Sequence, residues 1–184
     1  MRRLTILVLA LAAIYSGYWF IGAAAVERTA TAQIAQMRLD GWTLDYESLN
    51  TRGYPSRFDT TVTTFNVIPP SGDLAWQAPF VQVLSLSYKP NEVILALADR
   101  QDLTLGGVPM TLTSDGLRAS ALVAANTDLD LTRFTVEVGQ MRADSSAGTV
   151  FSLSNALVAL RAAKDAPLLY AAFADINDLA LPVS

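Results

Sequence analysis

Residues 41–67 read GWTLDYESLNTRGYPSRFDTTVTTFNV, and it is here that the spacing of apolar residues turns to period two. Trp42, Leu44 and Tyr46 fall on one face while Thr43, Asp45 and Glu47 fall on the other, the pattern of a half-buried strand. After the turn Arg52-Gly53-Tyr54-Pro55 the alternation resumes, with Phe58, Thr60 and Val62 set against Asp59, Thr61 and Thr63.

The same signal repeats downstream. Phe80, Leu84, Leu86 and Tyr88 share a face with Gln82, and Val93, Leu95 and Leu97 share another. Further strands are expected at 110–113, 117–123, 129–138 and 150–160. Turn chemistry separates them at Pro69-Pro70-Ser71-Gly72-Asp73, Lys89-Pro90-Asn91, Gly106-Gly107-Val108-Pro109 and Ser114-Asp115-Gly116. Strands at this spacing, without amphipathic helices between them, predict a mainly β domain built as an antiparallel meander. Residues 156–170 are alanine-rich and suit a helix or a strand, with Pro167 as an interruption. Val81 and Val83 lie opposite Phe80 and Leu84, so this strand is apolar on both faces. Either a second sheet covers it, giving a sandwich, or the sheet curves into an apolar groove.

Upstream of Gly41 the period is helical. Val26, Ala30, Ile34 and Met37 form one stripe over 26–39, and Gly41 is a natural stop. Before it, residues 4–25 carry no charge, 22 residues that make roughly 33 Å of helix, enough to cross a bilayer core. Arg2 and Arg3 precede this run, which places the N-terminus in the cytoplasm and predicts a single-pass inner-membrane protein with its C-terminal domain in the periplasm. Tyr15, Tyr18, Trp19 and Phe20 suit the aromatic belt of such a helix. The alternative is a signal peptide cleaved near Ala23-Ala24-Ala25, with secretion to the periplasm. The expected organisation is therefore an anchor or signal at 1–25, a helical stalk at 26–40 and an exported β-rich domain at 41–184. The end of the sequence, Leu181-Pro182-Val183-Ser184, follows an apolar stretch directly and reads as a stop inside a domain.

Composition removes several chemistries. The 184 residues include no cysteine and no histidine, which excludes disulfides, thiolate chemistry and histidine-based triads or metal sites. Beyond Ala25 there are 11 basic and 17 acidic residues, scattered, so no positive field suited to nucleic acid exists. No G-x-S-x-G elbow occurs, and Gly106-Gly107 lacks the lysine of a phosphate loop. The nearest carboxylate sets, Asp40 with Asp45 and Glu47, Asp128 with Asp130, and Asp175 with Asp178, read as wet strand faces. A carboxylate-based hydrolase would need them to converge from distant segments. No catalytic residue, cofactor or metal ligand is assigned.

The most distinctive local cluster is Arg52, Tyr54, Arg57 and Phe58, to which Trp76 is added as a candidate ligand or partner surface. Two arginines beside aromatic rings could hold an anionic headgroup or a protein partner, but the favoured reading is a turn between the first two strands that the arginines solvate.

Taken in order, the N-terminal anchor, Gly41-Trp42 with Tyr46, Arg52-Gly53-Tyr54-Pro55 running into Arg57-Phe58, Trp76-Gln77-Ala78-Pro79 and Tyr88-Lys89-Pro90-Asn91 resemble the bacterial envelope family called domain of unknown function 2125. The resemblance is best over 1–100, and Ala166-Pro167 and Leu181-Pro182 also fit it. It implies an envelope location and carries no activity. The expected role is non-enzymatic: a membrane-anchored protein that binds lipid or another apolar ligand in a sheet groove. The alternative is a scaffold that recruits an envelope protein through a sheet edge, for which the lightly charged stretch 58–67 is the candidate.

Overall fold

The structure is a computed structural model that describes residues 1–124, 130–163 and 166–181. One helix, α1 (Arg2–Leu39), is followed by strands β1 (Thr43–Asp45), β2 (Ser48–Arg52), β3 (Arg57–Ile68), β4 (Leu74–Leu86), β5 (Lys89–Leu97), β6 (Arg100–Leu105), β7 (Val108–Ser114), β8 (Arg118–Val123), β9 (Leu131–Ser145), β10 (Gly148–Ala163) and β11 (Ala166–Ala180). All of them belong to one antiparallel sheet.

The path across this sheet passes eight strands, β1-β3-β4-β5-β8-β9-β10-β11, and the remaining three continue neighbours on that path. β1 and β2 both lie along β3, β5 and β6 both lie along β4, and β7 and β8 both lie along β9. The chain thus runs up and down in sequence order, as a meander should. The segment 156–170 is strand on both sides of 164–165, where helix was an open alternative; its alanines pair with β9 and β11. Three strands were not foreseen: β2, β6 and the greater part of β11. The stretch 58–67 is interior, between β1/β2 and β4, so it is not a free edge; the sheet edges are β1/β2 and β11. The start of the strand expected at 129, and the chain end at 182–184, lie outside the described residues.

A line of irregularities crosses the sheet at one height. It includes the breaks at Tyr46-Glu47, Ala98-Asp99 and 115–117, and Gly139, whose N–H bonds the Asp115 carbonyl at 2.9 Å. Thr64, Asn155 and Asp178, the non-glycine residues with positive φ among those described, all lie on it. Such residues reset the alternation of side chains and bend the sheet. In β3 the apolar positions change from Phe58 and Val62 to Phe65 and Val67, and in β9 from Phe134, Val136 and Val138 to Met141 and Ala143.

The reset keeps one face apolar on both sides of the crease. On the near side, toward the turn at 53–56, the register aligns Thr60, Val83, Leu95, Ala119, Val136, Val158 and Ala174 in one row. The adjacent row, on the opposite face, is Thr61, Gln82, Ala96, Arg118, Glu137, Leu157 and Asp175. On the far side, Leu44, Val67, Trp76, Leu103 and Met110 align, and their neighbours Asp45, Asn66, Gln77, Asp102, Thr111 and Asp144 face the other way.

The helix lies on this apolar face at one end. Trp19 and Ala23 pack on Phe58, and Ile34 packs with Leu44 and Val67, with Met37, Trp42, Phe65 and Trp76 around them. Gly22 lets the helix come close, since a Cβ there would stand 2.7 Å from the Phe58 ring. α1 packs on β1, β2 and β3. The accessible surface is 12221 Å², against about 8,600 Å² for a compact chain of its mass. The sheet is therefore an open single layer, and the sandwich alternative does not apply to the described residues.

Phe58→Ala is expected to destabilise the protein by roughly 3 kcal/mol, because its ring is 5% exposed and joins helix to sheet. Leu105→Ala, at 56% exposure, should cost under about 1 kcal/mol in the same denaturant titration.

Candidate functional site

Two features stand out, the uncovered apolar face and the cluster where α1 meets the near end of the sheet. The cluster is built from two turns. In the first, Gly53 takes φ +106 and its carbonyl accepts the Arg57 N–H at 2.9 Å, closing residues 53–57. In the second, at 87–88, the Ser87 N–H bonds the Ser56 carbonyl at 2.9 Å and ties the two turns together.

Aromatic residues of α1 satisfy these turns. Tyr15 Oη donates to the Pro55 carbonyl at 3.0 Å and lies 3.0 Å from Ser87 Oγ. Tyr18 Oη donates to the Ser87 carbonyl at 2.7 Å, and Trp19 Nε1 to the Arg57 carbonyl at 2.8 Å. Tyr54 stacks on Phe20, meets Trp19 edge-on, and its hydroxyl is 2.8 Å from Ser16 Oγ. One turn further along the chain, Glu27 Oε1 accepts the Thr51 N–H at 2.6 Å.

Of the residues singled out from sequence, Tyr54, Arg57 and Phe58 come together here. Arg57 pairs with Asp59 at 3.0 Å and its side chain is about half exposed. Arg52 is exposed at the end of β2. Phe58 is core rather than surface. Trp76 belongs elsewhere: it sits beyond the crease, donates from Nε1 to Gln101 Oε1 at 2.8 Å and packs edge-on to Phe65. The residues that sequence reasoning left out of the cluster are Tyr15, Tyr18, Trp19 and Phe20, whose aromatic character had been assigned to the bilayer. The signal was the packing stripe, which does not start at Val26 but runs back through Ala23 and Trp19 to Ser16 at three- and four-residue steps.

Among the described residues Asp175 lines an open depression with Asp115, Glu137 and Arg118, whereas Asp45, Glu47 and Asp178 stand apart from one another. Asp45 is 3.8 Å from Arg38, Glu47 accepts from Thr64, and Asp178 accepts from Ser154, each on its own stretch of surface. Asp128 lies outside the described residues. Among the described residues no group of three or more carboxylates is placed to hold a metal ion. Along the crease the open depression of about 470 Å³ is lined by Ser114, Asp115, Gln140 and Arg142. Beside it, Arg142 forms a bond pair with Asp144, and that hydrogen bond, helped by Thr149, holds the Asp144 carboxyl below its usual range.

Residues 19–184 match the model of the family described as "Uncharacterized protein conserved in bacteria (DUF2125)". The chain belongs to this family. The match begins at Trp19, so Trp19, Phe20 and the whole sheet fall inside the DUF2125 region, while Tyr15 and Tyr18 precede it. No curated protein and no solved structure matches the chain. α1 is long and apolar enough to cross a membrane, as an anchor or as a signal sequence.

Arg142→Met is expected to raise the Asp144 pKa toward the ordinary carboxylate value, as read by NMR titration of the side-chain carboxyl. A lowered folded-state pKa stabilises the fold above the unfolded value and is lost as pH falls through the folded one. The stability difference between variant and parent should therefore shrink on acidification through that range.

Proposed function

We propose that this DUF2125 protein is a non-enzymatic, membrane-anchored protein of the bacterial envelope whose open sheet face binds lipid or another apolar ligand. The observation that carries the reading is the apolar face on which α1 packs, which extends beyond the part that the helix covers. Across eight strands and a length of up to 16 residues, the sheet measures about 34 Å by about 54 Å. α1 packs only on β1 to β3, and the apolar rows beyond it form a contiguous patch of the kind that marks binding surfaces.

Arg2 and Arg3 ahead of the uncharged run support a cytoplasmic N-terminus and a periplasmic sheet. Retention of the helix is favoured over cleavage near Ala25, because cleavage would remove the donors to the Pro55, Ser87 and Arg57 carbonyls together with the Trp19 packing on Phe58.

A second reading is recruitment of an envelope protein by strand addition at β11. This edge strand runs 15 residues, and Leu169, Phe173, Ile176 and Leu179 are each about half exposed or more.

The test is site-specific photo-crosslinking in cells with the full-length chain. Benzophenone side chains at Leu95 and Val136 should yield lipid adducts by mass spectrometry, and those at the adjacent, opposite-facing Ala96 and Glu137 should not. Equal labelling of both faces, or none, would refute lipid binding. Protein adducts at Phe173 without lipid adducts at Leu95 and Val136 would favour the edge reading instead.

A further inference from the structure

We infer that the corner of the sheet beside α1, formed by the turns at 53–56 and 87–88, is immersed in the membrane leaflet on the sheet side. The inference rests on the anchored reading of α1, and it names the source of the apolar ligand as that leaflet.

The first argument is length. Residues 4–14 are exposed all round, and contact with the sheet begins at Tyr15. From Leu4 to Tyr15 the helix rises only about 17 Å, whereas a hydrocarbon core is about 30 Å thick. With Arg2 and Arg3 held at the far interface, the bilayer extends past Tyr15 to about the level of residue 23. Tilting the helix deepens the overlap, because each residue then rises less along the bilayer normal. The two turns are hydrogen-bonded at the level of Tyr15 to Trp19, so they lie within this depth.

The second argument is what the helix exposes there. Phe20 and Ile21 are 63% and 73% exposed, beside the docked turns. They form the outer side of a helix whose inner side is already packed on protein. Apart from the stack of Phe20 on Tyr54, these side chains face solvent in water, and in the leaflet they face lipid.

The third argument is the chemistry of the turns. Neither contains a charge: the residues are Gly53, Tyr54, Pro55, Ser56, Ser87 and Tyr88. A turn placed among lipid chains must have its carbonyls satisfied internally. Three carbonyls, of Pro55, Arg57 and Ser87, accept from the hydroxyls and indole of α1. The charges begin directly behind the tips, with exposed Arg52, Arg57 and Lys89. Their long stems let the cationic groups reach back to lipid phosphates while the tips stay in the apolar layer.

With the corner placed so, the apolar face is continuous with the leaflet, and a lipid chain reaches it without crossing water.

The protein has no cysteine, so each introduced cysteine is unique. Ser56→Cys and Tyr88→Cys report the tips; Ser71→Cys and Ser146→Cys report the far end. All four positions are exposed, and Ser56→Cys is nearly isosteric. Full-length variants are labelled with an environment-sensitive NBD dye and reconstituted in phosphatidylethanolamine–phosphatidylglycerol vesicles that contain spin labels along the acyl chain. Blue-shifted emission quenched by chain-borne labels at 56 and 88, with water-like emission at 71 and 146, is the expected result. Water-like emission at 56 and 88 in membrane-bound protein would overturn the inference, as would equal quenching at all four sites, which means a sheet lying flat on the surface. Quenching at 56 and 88 without lipid adducts at Leu95 and Val136 would remove the lipid-binding function and leave the immersion standing.

Discussion

A sheet one layer thick has no second sheet in which to hide its apolar side, so every strand must keep its apolar residues in phase with its neighbours. Side chains alternate strictly, and a slip of one residue turns an apolar set outward. Most strands here cross a bend at mid-length, where twist would otherwise break the row. The crease through Thr64, Gly139, Asn155 and Asp178 handles this by changing the phase of the apolar positions together with that of the backbone. Thr64 is the costliest member, a β-branched residue at φ 51, and its hydroxyl bonds Glu47 across the break between β1 and β2. The rows on both sides of the crease then belong to one face, which is what allows α1 to touch Phe58 on one side and Val67 on the other.

The second constraint is the helix. Its stripe continues from Met37 back to Ser16 without regard to where the charges stop, so the second half of the uncharged run is also a sheet-packing segment. Residues 4–14 have the length of neither a full span nor a sheet-covering helix; residues 15–25 are both apolar and docked. Hydrogen bonds from Tyr15, Tyr18 and Trp19 to turn carbonyls fix the height at which sheet and helix meet. Each such bond contributes only about 1 kcal/mol in water, but losing it in an apolar layer costs the full desolvation of the carbonyl. In an apolar layer the docking would therefore be more strongly favoured than in water.

Much of the fold was legible because residues 42–47, 58–63 and 93–97 alternate cleanly. What was not legible follows from the crease. A change of phase inside a strand ends the period-two signal, so β9 was expected to stop at Val138, one residue before Gly139, although it continues to Ser145. β6 carries Arg100, Gln101 and Asp102 at its start and hides its apolar positions Leu103 and Leu105, while β11 is diluted by alanine. At the site, Arg52, Tyr54, Arg57 and Phe58 were marked by their turn, but Trp76 shares only composition with them; nine strand positions separate its partner Val67 from Phe58. The helix aromatics were seen and given to the bilayer alone, since a single sequence cannot say that a tyrosine hydroxyl reaches a turn 40 residues away.

The relief of the apolar face carries the argument one step further. Across the near half, the side chains at successive strands are Val93 and Leu95 on β5, Ala121 and Ala119 on β8, then Phe134 and Val136 on β9. Large side chains on both flanks and alanine between them make a trough whose floor is β8. β10 continues the high ground with Val158 and Leu160, and β11 drops again to Ala174 and Ala172. A trough of this kind runs along the strands, not across them, because each strand keeps its residue size over consecutive facing positions. The strands run between the near end, where α1 projects, and the crease. An extended acyl chain matches such a trough in direction and in its lack of polar demand, whereas a folded protein partner would have to match its relief over several strands at once. For the proposed apolar ligand, this shape, more than apolar area alone, favours a chain-like molecule entering from the end where α1 projects from the sheet.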